Sequence, residues 1–216
     1  MFQQGMQQYM ANQGVTSFGD TDLFSVTSFL FSSDARQTKF NDAIRSVFNV
    51  AKSCKYLETT SCQYNYTGLG TSTIYTFMPG NPGPPAISYN FCTTDGMCFQ
   101  MMRFSSYCNP DYTKISPMKA HCGFLFIDIN GAKKPNKYGR DIFYFEVGQD
   151  GLLFPSYGIA HAKYVSGDAW ESSSSYWKNK TNTSDGCGII GSTDITGNGG
   201  ASCAARIEEE GWQMNY

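Results

Sequence analysis

Eight cysteines, at positions 54, 62, 92, 98, 108, 122, 187 and 203, constrain this chain more than any other feature. Their number is even, and no two are spaced C-x-x-C, the signature of zinc ribbons and thioredoxin-like sites. Only two histidines, His121 and His161, could complete a Cys/His metal cluster. The pattern therefore predicts four disulfides and an oxidising compartment: periplasm, cell surface or medium. The alternative, eight buried free thiols, is a rare pattern in so short a chain. Roughly a hundred connectivities are possible; pairing of sequence neighbours predicts 54–62, 92–98, 108–122 and 187–203. Chain entropy assigns roughly 2.5 kcal/mol to the first loop and roughly 3 kcal/mol to the last.

At 216 residues the chain suits a single domain able to bury roughly 70% of its extended surface. Aromatic residues make up 15% of it, so core and surface are both rich in Tyr and Phe. The net charge is −2, and the densest basic cluster is the short group Lys133, Lys134, Lys137 and Arg140. No nucleic-acid partner is expected from so weak a positive field. No uninterrupted apolar run exceeds four residues, whereas a bilayer span needs about 20 and a signal peptide roughly 7–15. An exported protein needs such a segment, so the expectation is that one preceded this chain and was removed.

Along the chain, Phe2, Met6 and Tyr9 or Met10 recur at helical spacing with Gly14 as a stop. A second helix is expected from Asp34 or Thr38, with Phe40, Ile44, Val47 or Phe48, and Ala51 on one stripe ending at Cys54. Short β runs follow. Thr71 to Met78 is closed by the Pro/Gly-rich stretch 79–85, and Ile87 to Cys92 and Cys98 to Arg103 flank an Asp95-Gly96 turn signal. Gly123 to Ile129 and Asp141 to Val147 are the strongest strands, and Leu152 to Pro155 is shorter. Residues 166–202, rich in Ser, Asn, Thr and Gly, read as surface loop, and Ala204 to Glu210 as one or two helical turns. The expected fold is α+β in one domain: residues 1–54 mainly helical and packed on an antiparallel sheet, 55–165 the sheet, 166–216 loop-rich and disulfide-bounded.

Catalytic patterns are scarce, and no catalytic residue is expected. Cys122 beside His121 offers a Cys–His pair only in name, because chain neighbours rarely face each other and a bridged sulfur cannot attack. His161 is expected as a packed or surface imidazole. Glu208, Glu209 and Glu210 read as a solvated run, and strand alternation puts Glu146 on the wet face. Asp128, Asn130, Asn136 and Asp141 could supply oxygen ligands to calcium, which takes about six to eight of them; no other cofactor is implied. Their spacing is not that of an EF-hand, and Asp and Asn equally cap turns through their own backbone. Trp170 and Trp177, in the loop-like stretch, are candidate recognition residues for an adhesive or carbohydrate-binding surface. The sequons at Asn65, Asn179 and Asn182 would carry little weight if the source were bacterial.

Two segments carry a resemblance. Phe124 to Phe145 reads FLFIDINGAKKPNKYGRDIFYF, and the chain closes on CAARIEEEGWQMNY. In this order, after an amphipathic helix and a cysteine, they resemble the type IV prepilin-like family of pilins and type II secretion pseudopilins. That family carries an Asp-x-Asn-Gly … Pro-Asn … Gly-Arg-Asp-x-Phe element in its sheet and a Cys-Ala-Ala-Arg-Ile … Gly-Trp … Asn-Tyr tail. The likeness covers 22 residues centrally and 14 at the end, and only loosely the first 54. The family's N-terminal hydrophobic helix and its peptidase site are absent, so Phe2 to Asn12 would be what remains of that helix. The resemblance implies a non-catalytic filament subunit: anchored in the inner membrane by the missing helix, assembled with pilin-like subunits, and displayed at the cell surface with the 187–203 loop outward. The alternative is a secreted or surface adhesin or carbohydrate-binding module.

Overall fold

Helical periodicity at the start of the chain produces α1 (Phe2–Gln13), which buries Phe2, Gly5, Met6, Tyr9 and Met10. Gly14 follows at φ +68°, and the Gly14 and Val15 amides donate to the carbonyls of Ala11 and Met10. A left-handed residue just past the last turn satisfies orphan carbonyls that would otherwise stay open, and glycine adopts it without steric cost. The computed structural model describes residues 2–26, 34–54, 64–67, 69, 74–77, 88–103, 108, 120–155, 162–166, 169–172, 186–188 and 200–214.

A 3-10 turn at Phe18–Asp20 is capped by Ser17, whose hydroxyl accepts the Gly19 amide at 3.2 Å. It leads into α2 (Asp22–Val26). There Thr21 Oγ1 accepts the Phe24 amide at 3.1 Å and donates to the Phe18 carbonyl at 2.7 Å. The next helix, α3 (Asp34–Arg45), is shorter than its stripe suggested. Val50–Cys54 is a strand, β1, paired antiparallel with the fourth strand, so the helical part does not run to Cys54. Phe40, Ile44 and Phe48 still face the core, whereas Ala51 is exposed on the strand. An available sheet edge offers Val50–Cys54 a ladder of backbone hydrogen bonds, and that tertiary gain outweighs weak helical propensity.

Among the described residues, six strands form the main antiparallel sheet, in the order β1-β4-β5-β6-β7-β8: Val50–Cys54, Ser88–Thr93, Cys98–Arg103, His121–Asp128, Ile142–Gly148 and Leu153–Pro155. Two ribbons pair separately, β2 (Tyr64–Thr67) with β3 (Ile74–Phe77) and β9 (Ala162–Ser166) with β10 (Ala169–Ser172). The last strand lies in the stretch expected to be loop, and its register sets Trp170 opposite Tyr164. The fold is thus α+β on an antiparallel sheet. Among the described residues, no helix is long and apolar enough to cross a membrane.

Three bridges expected from neighbouring cysteines are formed: Cys92–Cys98, Cys108–Cys122 and Cys187–Cys203. Cys92 and Cys98 are directly opposed across the β4–β5 hairpin, with Cα atoms 4.1 Å apart. Cys62, and with it the expected 54–62 pairing, lies outside the described residues. Such bridges are those of an extracellular or periplasmic setting.

The main core is one apolar cluster that contains Phe2, Met6, Phe40, Ile44, Phe48, Phe91, Phe99 and Leu125. Phe91 and Phe99 stack at 4.9 Å between ring centroids, Phe2 sits 5.5 Å from both Phe99 and Phe48, and Phe40 closes on Phe91 at 6.2 Å. Burying each such ring contributes roughly 2–3 kcal/mol. Gly5 lets α1 come close, because a Cβ there would lie 2.6 Å from the Phe48 ring. Gly5→Ala is therefore expected to lower stability by about 1–3 kcal/mol through overpacking, against the roughly 1 kcal/mol that alanine gains in a helix. Urea denaturation reads the net sign; a more stable variant would show that α1 does not seat on Phe48.

Candidate functional site

Sequence order brings Asp128 to the end of β6 and Asp141 to the position just before β7, and the turn between them holds Asn130 and Asn136, the other two oxygen-bearing residues singled out above. Asp128 is 0% and Asp141 2% exposed. Asp141 organises the turn: its Oδ2 accepts the Asn136 amide at 2.7 Å and the Asn130 side-chain amide at 3.4 Å, and its Oδ1 accepts the Lys137 amide at 2.5 Å. Asp128 Oδ1 accepts the Asn130 amide at 3.0 Å. Asn136 takes φ +48°, and the Lys134–Pro135 peptide is cis. The Asn136 side-chain amide nitrogen donates to the Lys133 carbonyl at 2.6 Å. The carboxylates thus face N–H donors, the arrangement by which Asp and Asn hold turns. Among the described residues no three His, Cys, Asp or Glu side chains cluster as metal ligands would.

The same turn is tied outward. The Thr67 amide donates to the Asn136 carbonyl and the Tyr138 amide to the Thr67 carbonyl, joining β2 to the loop. Gly139, at φ +74°, lies against the Cys187–Cys203 bridge, where a Cβ would come within 2.5 Å of Cys203 Sγ.

Cys203 opens α4 (Cys203–Glu209), and this helix supplies a group that sequence reasoning passed over. Arg206 is 0% exposed. Its Nη1 donates to the Cys187 carbonyl at 2.7 Å, and its Nε donates to Glu210 Oε1 at 3.0 Å. A buried guanidinium is tolerated when a carboxylate and fixed carbonyls meet its donors. The Arg206–Glu210 spacing of four residues within a helical run was the available signal. So the Glu208–Glu210 run is not uniformly solvated: Glu210 is engaged, and burial followed by the neighbouring Glu209 charge raises the Glu208 carboxyl above its ordinary pKa.

Glu146 corrects a second expectation. Strand alternation sends Phe145 and Val147 to the helical layer and Glu146 to the opposite face, but that face is covered here, and Glu146 is 1% exposed. His121, equally buried, brings Nε2 to 3.8 Å from Glu146 Oε2 and 2.9 Å from the Gly123 carbonyl. Cys122 is bonded to Cys108, so the thiolate of a Cys–His pair is not available. His161 and Trp177 lie outside the described residues, as do Asn179 and Asn182, and Trp170 is described only by its place on β10.

One concave surface joins these parts. A cleft of about 510 Å³ runs between Phe2, Ile127, Phe145, Leu153, Glu208 and Trp212. It continues past Phe145 and Trp212 into an apolar recess bounded by Ile129, Phe143, Ile207 and Met214. Residues of α1, of the β4–β5 hairpin and of β8 also line the cleft, whereas the walls of the recess come from the hairpin β6–β7 and from α4 with the residues after it.

Two predictions follow the chemistry of these groups. Asp141→Ala removes the acceptor of two backbone amides and is expected to cost about 3 kcal/mol, a fall of roughly 6–12 °C in melting temperature; millimolar calcium should leave the wild-type melting temperature unchanged. For Glu208, a raised folded-state pKa means that its contribution is intact at acid pH and is lost as pH rises through that pKa. Glu208→Gln should therefore match wild type below the ordinary carboxyl range and exceed it in stability at neutral pH, as urea titrations across pH would register. Comparison of the chain with protein-family models, with curated proteins and with solved structures gives no match.

Proposed function

We propose that this chain is the exported, disulfide-bonded head of a bacterial type IV pilin-like subunit, a pilin or pseudopilin that acts by assembling into a filament rather than by catalysis. One observation carries the reading. The two segments with the prepilin-like pattern, 124–145 and 203–216, are distant in sequence, but the described residues of the second, 203–214, pack against the first. Phe143, Phe145 and Ile129 of the first share an apolar wall with Ala204, Ile207 and Trp212 of the second. Gly139 of the first fits against Cys203 of the second with no room for a side chain. A sequence pattern split between two segments is meaningful as one unit when the segments form one packed unit, and these do.

Other features agree with it. The helix α1 presents Phe2 to Phe99 of the sheet, the relation expected of a head domain resting on the lower half of a long N-terminal helix. The bridged cysteines suit a protein that works outside the reducing cytosol. The upper, membrane-anchoring half of that helix belongs to the proposal. The Cys187–Cys203 loop, held by Arg206, is the region this reading turns outward. A likeness at this level concerns architecture, and function then lives in surfaces.

The test is to label filaments sheared from cells that express the full precursor, using antibody raised against this chain and electron microscopy. Gold distributed along the filaments, and lost in a deletion strain, is the expected result. Antigen found only as free protein in the medium would sink the proposal and favour a secreted binding module.

A further inference from the structure

Among the described residues, the large apolar side chains most open to solvent are Ile129 at 46%, Trp212 at 67% and Met214 at 50%. They are not scattered. All three border the same recess, whose floor is Phe143 and Phe145. Single exposed apolar residues need no explanation, whereas a contiguous group rimmed by polar ones marks a contact surface.

The rim is charged, and unevenly. Beyond Trp212 the wall of the cleft carries Glu208, with Glu209 next to it in α4. Glu208 stands against apolar neighbours and beside a like charge, which is why its carboxyl resists ionisation. A cation brought there would relieve both conditions. At the other end, Ile129 leads directly into the β6–β7 turn, where Lys133 and Lys134 are exposed. The apolar recess thus has glutamates of α4 on one side and leads on the other, through Ile129, into a turn with two exposed lysines, so one copy of the chain contains both halves of a complementary pair.

We propose that this face is where a second copy of the chain docks, its Lys133–Lys134 turn meeting the Glu208–Glu209 rim while Trp212 and its apolar neighbours are covered. The inference rests on the filament reading for the identity of the partner and adds the surface and the charge pairing by which copies meet. Opposite charges at the rim set orientation and speed of encounter, and the desolvated aromatic at the centre supplies affinity. An indole with two-thirds of its surface in water has much to gain from a partner.

The experiment uses two charge-reversed forms of the whole chain. One carries Glu208→Lys with Glu209→Lys, the other Lys133→Glu with Lys134→Glu. Each alone should self-associate at least about tenfold more weakly than wild type in sedimentation equilibrium, because like charges then face each other. An equimolar mixture of the two should recover the association. Unchanged melting temperatures would show that both still fold, and Trp212→Ser gives a third form that weakens association without altering charge. Zero-length cross-linking of mixed light and isotopically heavy wild-type chains should join Lys133 or Lys134 of one copy to Glu208 or Glu209 of another.

Association that all three variants leave unchanged, or cross-links confined to other surfaces, overturns this docking face but leaves filament labelling as its own question. Chains that stay monomeric at every concentration overturn it as well. Recovered association in the mixture, combined with unlabelled filaments, would uphold the face and remove only the filament role.

Discussion

Covalent attachment of irregular segments to buried regular elements is the condition on which the rest of the molecule stands. Cys98, Cys122 and Cys203 belong to β5, β6 and α4, and none is more than 5% exposed. Their partners are Cys92 of the preceding strand, Cys108, and Cys187 in the non-regular backbone of residues 186–188. Two of the bridges also lie against close glycine approaches. Gly19 stands where a Cβ would fall 2.9 Å from Cys108 Sγ, and Gly139 repeats the arrangement at Cys203. A chain with 22 glycines has much conformational freedom to lose on folding. Closing loops in the unfolded state removes part of that cost in advance, by about 2–3 kcal/mol per bridge.

Buried charge is the second device, and it depends on the first. Arg206 finds its acceptor at the Cys187 carbonyl because the bridge to Cys203 holds that carbonyl beside α4. Glu210 completes the guanidinium's surroundings from the end of the same helix. Asp141 works in the same way for the β6–β7 turn, gathering amides from residues four and five positions back. Groups of this kind add little net stability compared with an apolar replacement, but removing one partner is costly. Their effect is to allow only one arrangement of segments that lack regular hydrogen bonding.

Much of the scaffold was legible because local chemistry and tertiary outcome agree. The Asp95-Gly96 turn, the flanking β-branched and aromatic residues and the opposed cysteines all specify the β4–β5 hairpin. The 3.6-residue spacing of Phe2, Met6 and Tyr9 specifies α1, and Gly14 its end. What escaped depends on neighbours distant in sequence. Val50–Cys54 becomes a strand because β4 has a free edge beside it. Ala169–Ser172 pairs with Ala162–Ser166 within a stretch whose composition reads as loop. Glu146 obeys alternation, yet the face it points to is covered, which periodicity cannot report. Arg206 looked like an ordinary helical cation, since nothing local says that the helix lies over a disulfide. The apolar cleft was invisible for the same reason: Ile129 and Trp212 are 83 positions apart in the sequence.

The apolar recess of the cleft draws its two walls from parts of the molecule that turn chemistry and sulfur hold. One wall ends in the Asp141-centred turn, and the other belongs to the helix fixed by Cys203 and Arg206. Gly139 locks the two together, because the backbone there touches the bridge directly. Binding at a surface loses affinity to whatever must be ordered on contact, so a cleft already rigid on both sides presents its apolar area at little further entropic cost. For a subunit whose proposed work is contact rather than turnover, this separates two demands. Turn chemistry and sulfur fix the geometry of the cleft, and the exposed lysines and glutamates at its rim decide what meets it.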